Sequence, residues 1–432
     1  MYQATLVNRQ PLCLRPDPTR VVMRHFRPST DPPDLHPTDM RRMSHIVHRV
    51  LELDPQTVRQ QLSDVLESFQ ARHRHLLATL ERRTDTMEIA HSMHASLTDM
   101  QRRLIGAYFL HEYSFQAAAL FNPSIVAHPD QSGLAGGERR FVLSLRAVGE
   151  GHVSSLTFRS GLLAADGTVT VDPIARLASI PGLQRRVPGA AEDCIEVVFE
   201  TDSNISERVI FPITEAQSNG IEDARFVEFD DGGRKIFYAT YTAYDGRTIR
   251  SELLETADFE RFRMTPLTGS AARNKGMALF PRRLNGQYAM IGRQDNENLY
   301  LIYSDDLYSW QEGVAILRPR FPWEFVQIGN CGSPIDLDEG WLLLTHGVGP
   351  MRRYSIGAVL LDKQDPSKVL ARSPEPLVRP EPSEREGYVP NVVYTCGAMR
   401  QGDRIILPYA VCDTFCNFAT IEISALLAAM GL

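Results

Sequence analysis

Apolar and polar positions follow two different rhythms along this chain, and the change falls near residue 120. Before it, Val58, Leu62, Val65, Leu66, Phe69, Leu76, Leu77 and Leu80 recur at helical spacing, with Gln, Arg, Asp and Glu between them. That stripe predicts amphipathic helix. Asp54-Pro55 supplies an N-cap and a first-turn proline where it begins. A second helix is expected over about Leu97–Leu110 and on into Ala117–Leu120. The opening of the chain, with prolines at 11, 16, 18, 28, 32, 33 and 37, reads as an extended arm.

After residue 120 the pattern shortens into strands: Phe141–Leu145, Ile195–Phe199, Arg225–Phe229, Lys235–Tyr241, Tyr288–Ile291, Leu299–Tyr303, Trp341–Thr345, Ile356–Leu361 and Ile405–Tyr409. Turn signals such as AADG, DDGG, YDG, LNG and RQGD separate them. No long helical pattern intervenes, which excludes a parallel α/β sheet. EISALLAAMGL predicts a short terminal helix. A weak repeat also appears. Asp258-Phe-Glu-Arg-Phe262 matches Asp306-Leu-Tyr-Ser-Trp310, each following a strand with an acid, an apolar residue, two polar ones and an aromatic. The spacing is about one four-stranded propeller blade, and roughly 300 residues of such pattern hold about five. The acid is expected to cap a turn and the aromatic to fill the space between blades.

Composition narrows the choice of partners. The 432 residues carry a formal net charge of −7, which argues against nucleic acid or an anionic membrane. The basic run ARHRHLLATLERR at 71–83 is interleaved with leucines and reads as a solvated helix face. His73, His75, His91 and His94 fall on these helices as surface or packing residues. No apolar run is long enough to span a bilayer and no signal peptide is evident, so a cytoplasmic location is expected. Cys13, Cys194, Cys331, Cys396, Cys412 and Cys416 lack CxxC or zinc spacing and read as reduced thiols, mostly buried.

Polar residues beside glycine mark where chemistry could sit: Phe121-Asn-Pro, Arg146 to His152, Gly220-Ile-Glu-Asp-Ala-Arg225, Arg273 to Gly276, Arg293 to Asn298, Gln327 to Gly332, Thr345-His-Gly347, Glu386 to Asn391 and Cys412-Asp-Thr414. Acids and amides at bending backbone, with Tyr241, Tyr244, Trp323, Tyr354 and Tyr388 as ring faces, suit a pyranose. There is no GxSxG, GxxxxGK[ST] or HExxH, and Cys331 lacks the context of a nucleophile. Ser132–Gly137 is not a dinucleotide loop, because no helix pattern follows. His346, between a leucine-rich strand and glycine, leans functional, whereas Arg225 and Arg293 serve equally well as ion-pair partners between blades.

From Phe121 to Thr414 the ordered series Phe-Asn-Pro, Leu-Arg-Ala, Gly-Ile-Glu-Asp-x-Arg, Leu-Phe-Pro-Arg, Ser-x-Asp-Leu-x-x-Trp, Gly-Trp-Leu-x-x-x-His-Gly, Leu-Leu-Asp and Gly-Tyr-Val-Pro-Asn-Val resembles glycoside hydrolase family 130. The family comprises mannoside phosphorylases and related mannosidases. The resemblance implies an all-β fold, a five-bladed β-propeller over 121–420, with an arm and α-helical extension over 1–120 and a short helix over 421–432. It also implies one catalytic carboxylate, Asp223, which protonates the glycosidic oxygen through a sugar hydroxyl while inorganic phosphate attacks from the opposite face. The product is α-mannose 1-phosphate, with inversion. Asn122, Arg146, Glu222, Arg225, Asp295, Tyr388 and Asp413 then fall on sugar-binding positions. Lys275, Arg293, His346 and Tyr354 fall on phosphate-binding ones.

Three departures accompany the match. Ala224 replaces the motif's usual proline, Gln327 stands where a lysine is usual, and Glu150 and His152 stand where an arginine is usual. An acid there would let Glu150 act as base for water, which makes an inverting β-mannosidase the alternative. A propeller that binds sugar without catalysis is a third reading, and synthesis from a mannose 1-phosphate donor is the same reaction reversed. No cofactor or metal is expected beyond phosphate as co-substrate. The expected partners are a small oligosaccharide and, through the N-terminal helices, a second copy of the chain.

Overall fold

The computed structural model describes residues 6–29, 40–87, 97–188 and 193–432. The chain forms two compact units: Thr19–Ser114 with Arg176–Ser179, and Met1–Pro18 with Phe115–Ala175 and Ile180–Leu432.

The smaller unit holds helices Met40–Leu51, Pro55–Phe69, Leu76–Asp85 and Asp99–Tyr108, and an antiparallel ribbon of Val22–His25 with Leu110–Tyr113. Asp54 caps the second helix as expected, its Oδ1 accepting from the Gln56 and Thr57 amides at 2.9 and 3.0 Å. The long apolar stripe is not one helix. It breaks after Phe69, and His75 adopts a left-handed conformation (φ 51°) before the third helix begins. The break divides the stripe between two clusters, Val58 with Val47, Val50 and Phe109, and Leu62 with Leu76 and Leu80. The fourth helix stops at Tyr108 and does not reach Ala117–Leu120, because Leu110–Tyr113 pairs with Val22–His25 and Ala119 opens a strand. The basic run is only partly a solvated face: His73 and Arg83 are buried, His73 against Glu112 at 2.8 Å and Arg83 donating to the Phe109 carbonyl. His91, His94 and prolines 32, 33 and 37 lie outside the described residues.

The larger unit is mostly β. One set of antiparallel strands comprises Ala119–Ala127, Arg139–Val148, Ser154–Leu163 and Val169–Val171. A second comprises Gly220–Asp231, Arg234–Tyr244, Ile249–Thr256 and Arg261–Pro266, extended by Ile195–Val198 and Leu183–Arg186. With Val209–Ile210 also paired to Ser154–Leu163, these are joined into an eleven-stranded sheet, Ser154–Leu163 meeting Gly220–Asp231 at the single parallel pair Gly220 and Ser154. Next come Ala278–Leu279, Tyr288–Gly292, Leu299–Ser304 and Gly313–Leu317, then Gln327–Asn330, Trp341–Gly349, Arg353–Leu361 and Val369–Arg372. The last sheet runs Val393–Tyr394, Arg404–Val411, Phe415–Glu422 and, from the other end of the chain, Val7–Leu14. The N-terminal arm is thus extended, as its prolines imply, and its backbone groups are spent on the final sheet, Val7 opposite Ile421.

Apolar faces pack in chain order: Phe158 with Phe226, Phe229 with Met290, Leu301 with Leu343, and Leu344 with Leu407 share successive cores. Ala410 of the last sheet then shares a cluster with Ala119 and Phe121 of the first. The repeat does what its residue types predict. Asp258 Oδ1 accepts from the Glu260 and Arg261 amides and Asp306 Oδ1 from Tyr308, while Phe262 and Trp310 are fully buried in successive cores. All six cysteines are unpaired, and five are buried. Among the described residues no helix is long and apolar enough to cross a membrane.

Candidate active site

Two β-bulges create the centre of the site. In Ala119–Ala127 the register slips between Phe121 and Ser124, and in Gly220–Asp231 between Glu222 and Arg225. Each slip leaves two residues facing one and throws its first residue into the left-handed region, Asn122 at φ 48° and Asp223 at φ 55°. Bulges re-aim side chains in this way, and after glycine an asparagine or aspartate tolerates that backbone best. Pro123 fits because a bulge needs no ladder donor. The two bulges are stitched together: Ser124 Oγ accepts from the Phe226 amide at 3.0 Å, and Asn122 Nδ2 donates to Asp223 Oδ1 at 2.6 Å.

Three cations surround the Asp223 carboxylate. Arg146 donates to Asp223 Oδ1 at 3.3 Å and to Glu222 Oε1 at 2.8 Å, with its guanidinium over the Phe121 ring. Lys275 pairs with the other oxygen of Glu222. Arg225 lies underneath, 2% exposed, donating to the Asp223 carbonyl at 2.9 Å and to the Tyr394 hydroxyl at 2.7 Å. Burial alone would push Asp223 up, but Arg146, Arg225 and Lys275 with the Asn122 amide hold it below the usual carboxylate range. Its side chain keeps 13% exposure, enough to meet a ligand. Asp413, also left-handed (φ 49°), shows the opposite shift. Burial and then the charge of Asp223 push it up to about 6, against the pull of Arg146 and Arg352.

A second face lies on Trp341–Gly349. His346 is 2% exposed and stacks on Tyr354, centroids 5.9 Å apart and planes at 15°, with Tyr394 edge-on at 4.9 Å. Arg293 Nη1 is 3.1 Å from His346 Nε2. An arginine can only donate, so Nε2 is the acceptor and the imidazole is neutral. Burial and then the charges of Arg293 and Arg225 drive its pKa well below the ordinary value. Gly329 makes the pair possible: a Cβ there would collide with His346 Cε1 and sit 3.1 Å from Arg293 Nη1.

Several sequence expectations are revised. Lys275, expected at phosphate, is engaged by Glu222. Arg225 is neither at the surface of the site nor in an ion pair between sheets, but bolts the Asp223 loop to Tyr394. Asp295 spends its oxygens on its own turn, accepting from Glu297, Asn298 and Tyr300, bonds that hold it at about 2 despite partial burial. Tyr241 is a core residue whose hydroxyl bonds Glu252, not a sugar platform, because its strand face turns into the core between the first two sets. Tyr244 bonds its own turn, and Trp323 lies flat over Gly347 and Gly357. Tyr388, 51% exposed, meets His152 Nδ1 at 2.6 Å, while Glu150 sits exposed on the same turn as His152. Cys331 is a buried thiol pushed up to about 12, which suits packing and not attack. Sequence reading missed Tyr394, and it placed Asn330 in the cluster Gln327 to Gly332 without a role. Asn330 is 1% exposed with neither carboxamide atom partnered among the described residues.

Comparison with known proteins fits this geometry. A family model described as beta-1,4-mannooligosaccharide phosphorylase (Glyco_hydro_130) matches residues 198–431, more than half the chain. The chain belongs to glycoside hydrolase family 130. Within the family, a 1,2-beta-oligomannan phosphorylase of Thermoanaerobacter sp. (strain X514) is 37% identical over 217 residues, 48% of this chain and 70% of that protein. A beta-1,2-mannobiose phosphorylase of Listeria innocua serovar 6a is 33% identical over 228 residues, 50% of this chain and 62% of that protein. The solved structure of a Listeria innocua beta-1,2-mannobiose phosphorylase in complex with beta-1,2-mannobiose superposes with a TM-score of 0.52 at 22% identity. It covers 73% of this chain and 92% of that one, a likeness of fold.

Proposed function

We propose that this family 130 member is an inverting β-mannoside phosphorylase, cleaving β-mannosidic bonds with inorganic phosphate to give α-mannose 1-phosphate. The observation that carries the reading is the charge balance at Asp223. Arg146, Arg225, Lys275 and Arg352 act on Asp223, Glu222 or Asp413, and Arg293 on His346 beside them, five cations for three carboxylates in the site. The excess of two matches a phosphate group, which carries about −1.5 to −2 at neutral pH. Asp223 is the acid and donates its proton toward the glycosidic oxygen as the C–O bond breaks. A phosphate oxygen forms the new bond at the anomeric carbon from the opposite face, which inverts it. A phosphate already anionic needs no base, only cations and donors to hold it. Asp223 is held ionised in the free site by Arg146, Arg225 and Lys275, and an entering phosphate adds negative charge near them. Binding of the co-substrate thereby raises the proton affinity of the acid.

Five four-stranded antiparallel sets, each packed on the next and the last on the first, support a five-bladed β-propeller closed by Val7–Leu14. Five buried, unpaired thiols suit a reducing, cytoplasmic setting. Asn122, Arg146, Tyr388 and Asp413 are assigned to the sugar and Arg293, His346 and Tyr354 to phosphate. The test is incubation with β-linked mannobioses, with and without inorganic phosphate, and product analysis. Phosphate-dependent release of α-mannose 1-phosphate is the expected outcome. Free mannose released equally in both tubes makes the enzyme a mannosidase, with Glu150 the first base to mutate.

A further inference from the structure

The hairpin joining Trp341–Gly349 to Arg353–Leu361 turns on Pro350-Met351-Arg352, with Met351 at φ 57° and Arg352 at φ 54°. Two successive left-handed residues in such a turn call for glycine or asparagine. The hairpin joining Arg139–Val148 to Ser154–Leu163 has the same shape and obeys that preference at its first position. It runs through Gly149 (φ −116°, ψ −155°), Gly151 (φ 70°) and His152 (φ 59°), against Gly349 (φ −107°, ψ −163°), Met351 and Arg352. The second left-handed residue in each case faces an aromatic ring: His152 meets Tyr388, and Arg352 lies over Tyr354 at 5.8 Å. The Met-Arg turn therefore keeps an unfavourable backbone that holds an arginine in place, and such local conflict concentrates at functional sites.

Tyr354 is fixed in turn. Its amide donates to the Asn391 carbonyl at 3.1 Å and its ring stacks on His346, whose Nε2 is held by Arg293. Arg293 and Arg352 thus stand at the two ends of one stacked aromatic pair. Both differ from the other cations of the site. Arg146 and Lys275 are matched by Asp223 and Glu222, and Arg225 is buried with Nη1 and Nη2 donating to a carbonyl and a hydroxyl. Among the described residues Arg352 forms no ion pair, although it faces Asp413 closely enough to favour its ionised form. An exposed guanidinium with no ion pair among the described residues has its donors free for an oxyanion.

We propose that Arg352 binds inorganic phosphate, supplying at the Tyr354 end of the stacked pair the kind of cation that Arg293 supplies at the His346 end. The assignment rests on the phosphorylase reading and adds to it the residue that sets affinity for the co-substrate. Two measurements test it. The first is titration calorimetry of inorganic phosphate against the wild type, Arg352→Ala and Arg352→Lys. The second is the KM for phosphate and for the mannoside in each. Loss of one charge-assisted contact is expected to weaken phosphate binding in Arg352→Ala on the order of 10- to 100-fold, with partial recovery in Arg352→Lys. The KM for the mannoside is expected to stay within about twofold, as uniform loss at one ligand demands. Phosphate bound as tightly by Arg352→Ala as by the wild type overturns the assignment and leaves the phosphorylase reading intact. So does a KM that rises for the mannoside and not for phosphate. A wild type that neither binds phosphate nor needs it for turnover overturns both.

Discussion

Replacing Asp413 with asparagine is expected to stabilise the free protein at neutral pH and to do so far less in acid. Asp413 is pushed up to about 6 from 3.8, by burial first and by the charge of Asp223 next. A carboxyl with a raised folded pKa binds its proton more tightly when folded. The wild type therefore loses stability as pH rises from about 4 to about 6, and the loss is complete above that window. A shift of about two units corresponds to about 3 kcal/mol, and residual solvent screening lowers this to roughly 1–3 kcal/mol. The carboxamide of the variant does not titrate, so its advantage should grow across the window and then level off. The larger unit spans roughly 330 residues, whose unfolding entropy is about 0.7 kcal/mol per degree, so the expected gain in Tm is about 1.5–4 °C at pH 7.5. Thermal unfolding of wild type and Asp413→Asn from pH 4.0 to 7.5 measures it. Other carboxylates titrate in both proteins and largely cancel in the difference. An Asp413→Asn variant less stable than wild type at pH 7.5, or an advantage just as large at pH 4.0, would refute the reasoning, because Asp413 would then be an ionised partner that Arg146 or Arg352 requires.

Three other outcomes are expected. Asp223→Asn should lower kcat/KM for phosphorolysis by about 10²–10⁴-fold, while phosphate binding by calorimetry holds or tightens because the site gains positive charge; weaker phosphate binding would count against the proposed charge balance. Gly329→Ala forces a methyl against His346 and Arg293, so it should reduce activity at least about tenfold and lower stability by about 1–3 kcal/mol as an overpacked site does; unchanged kinetics would show that the Arg293–His346 pair is dispensable. Trp310→Ala empties a fully buried site in the core between the second and third strand sets and should cost about 3–5 kcal/mol in thermal unfolding, whereas a loss below about 1 kcal/mol would mean that the repeat's aromatic does not hold those strands together.

Local and periodic features were legible in the chain alone. The switch from helical to strand rhythm near residue 120, the Asp54-Pro55 start, the terminal helix at Ile423–Ala429 and the Asp258 and Asp306 turns all follow from short-range preferences. The grouping of Asn122, Arg146, Glu222 and Asp223 was legible only through the ordered motifs of the family resemblance, because two bulges far apart in the chain bring these residues together. Other features depended on pairings far apart in the chain. Val7–Leu14 becomes a strand only because Phe415–Glu422 offers it an edge, and the helix ending at Tyr108 is cut short by a ribbon to Val22–His25. Tyr241 and Asp295 carry residue types suited to a sugar, but the face of a strand and the needs of a turn had already claimed them. Whether a cation is free or matched is likewise invisible in sequence. Lys275 meets Glu222 from 53 positions away, whereas Arg352, on a turn whose left-handed backbone its own sequence disfavours, forms no ion pair among the described residues. Periodicity determines which elements form, since it acts over a few residues. Charge matching and strain belong to the tertiary structure, because only folding brings the partners within a few ångströms.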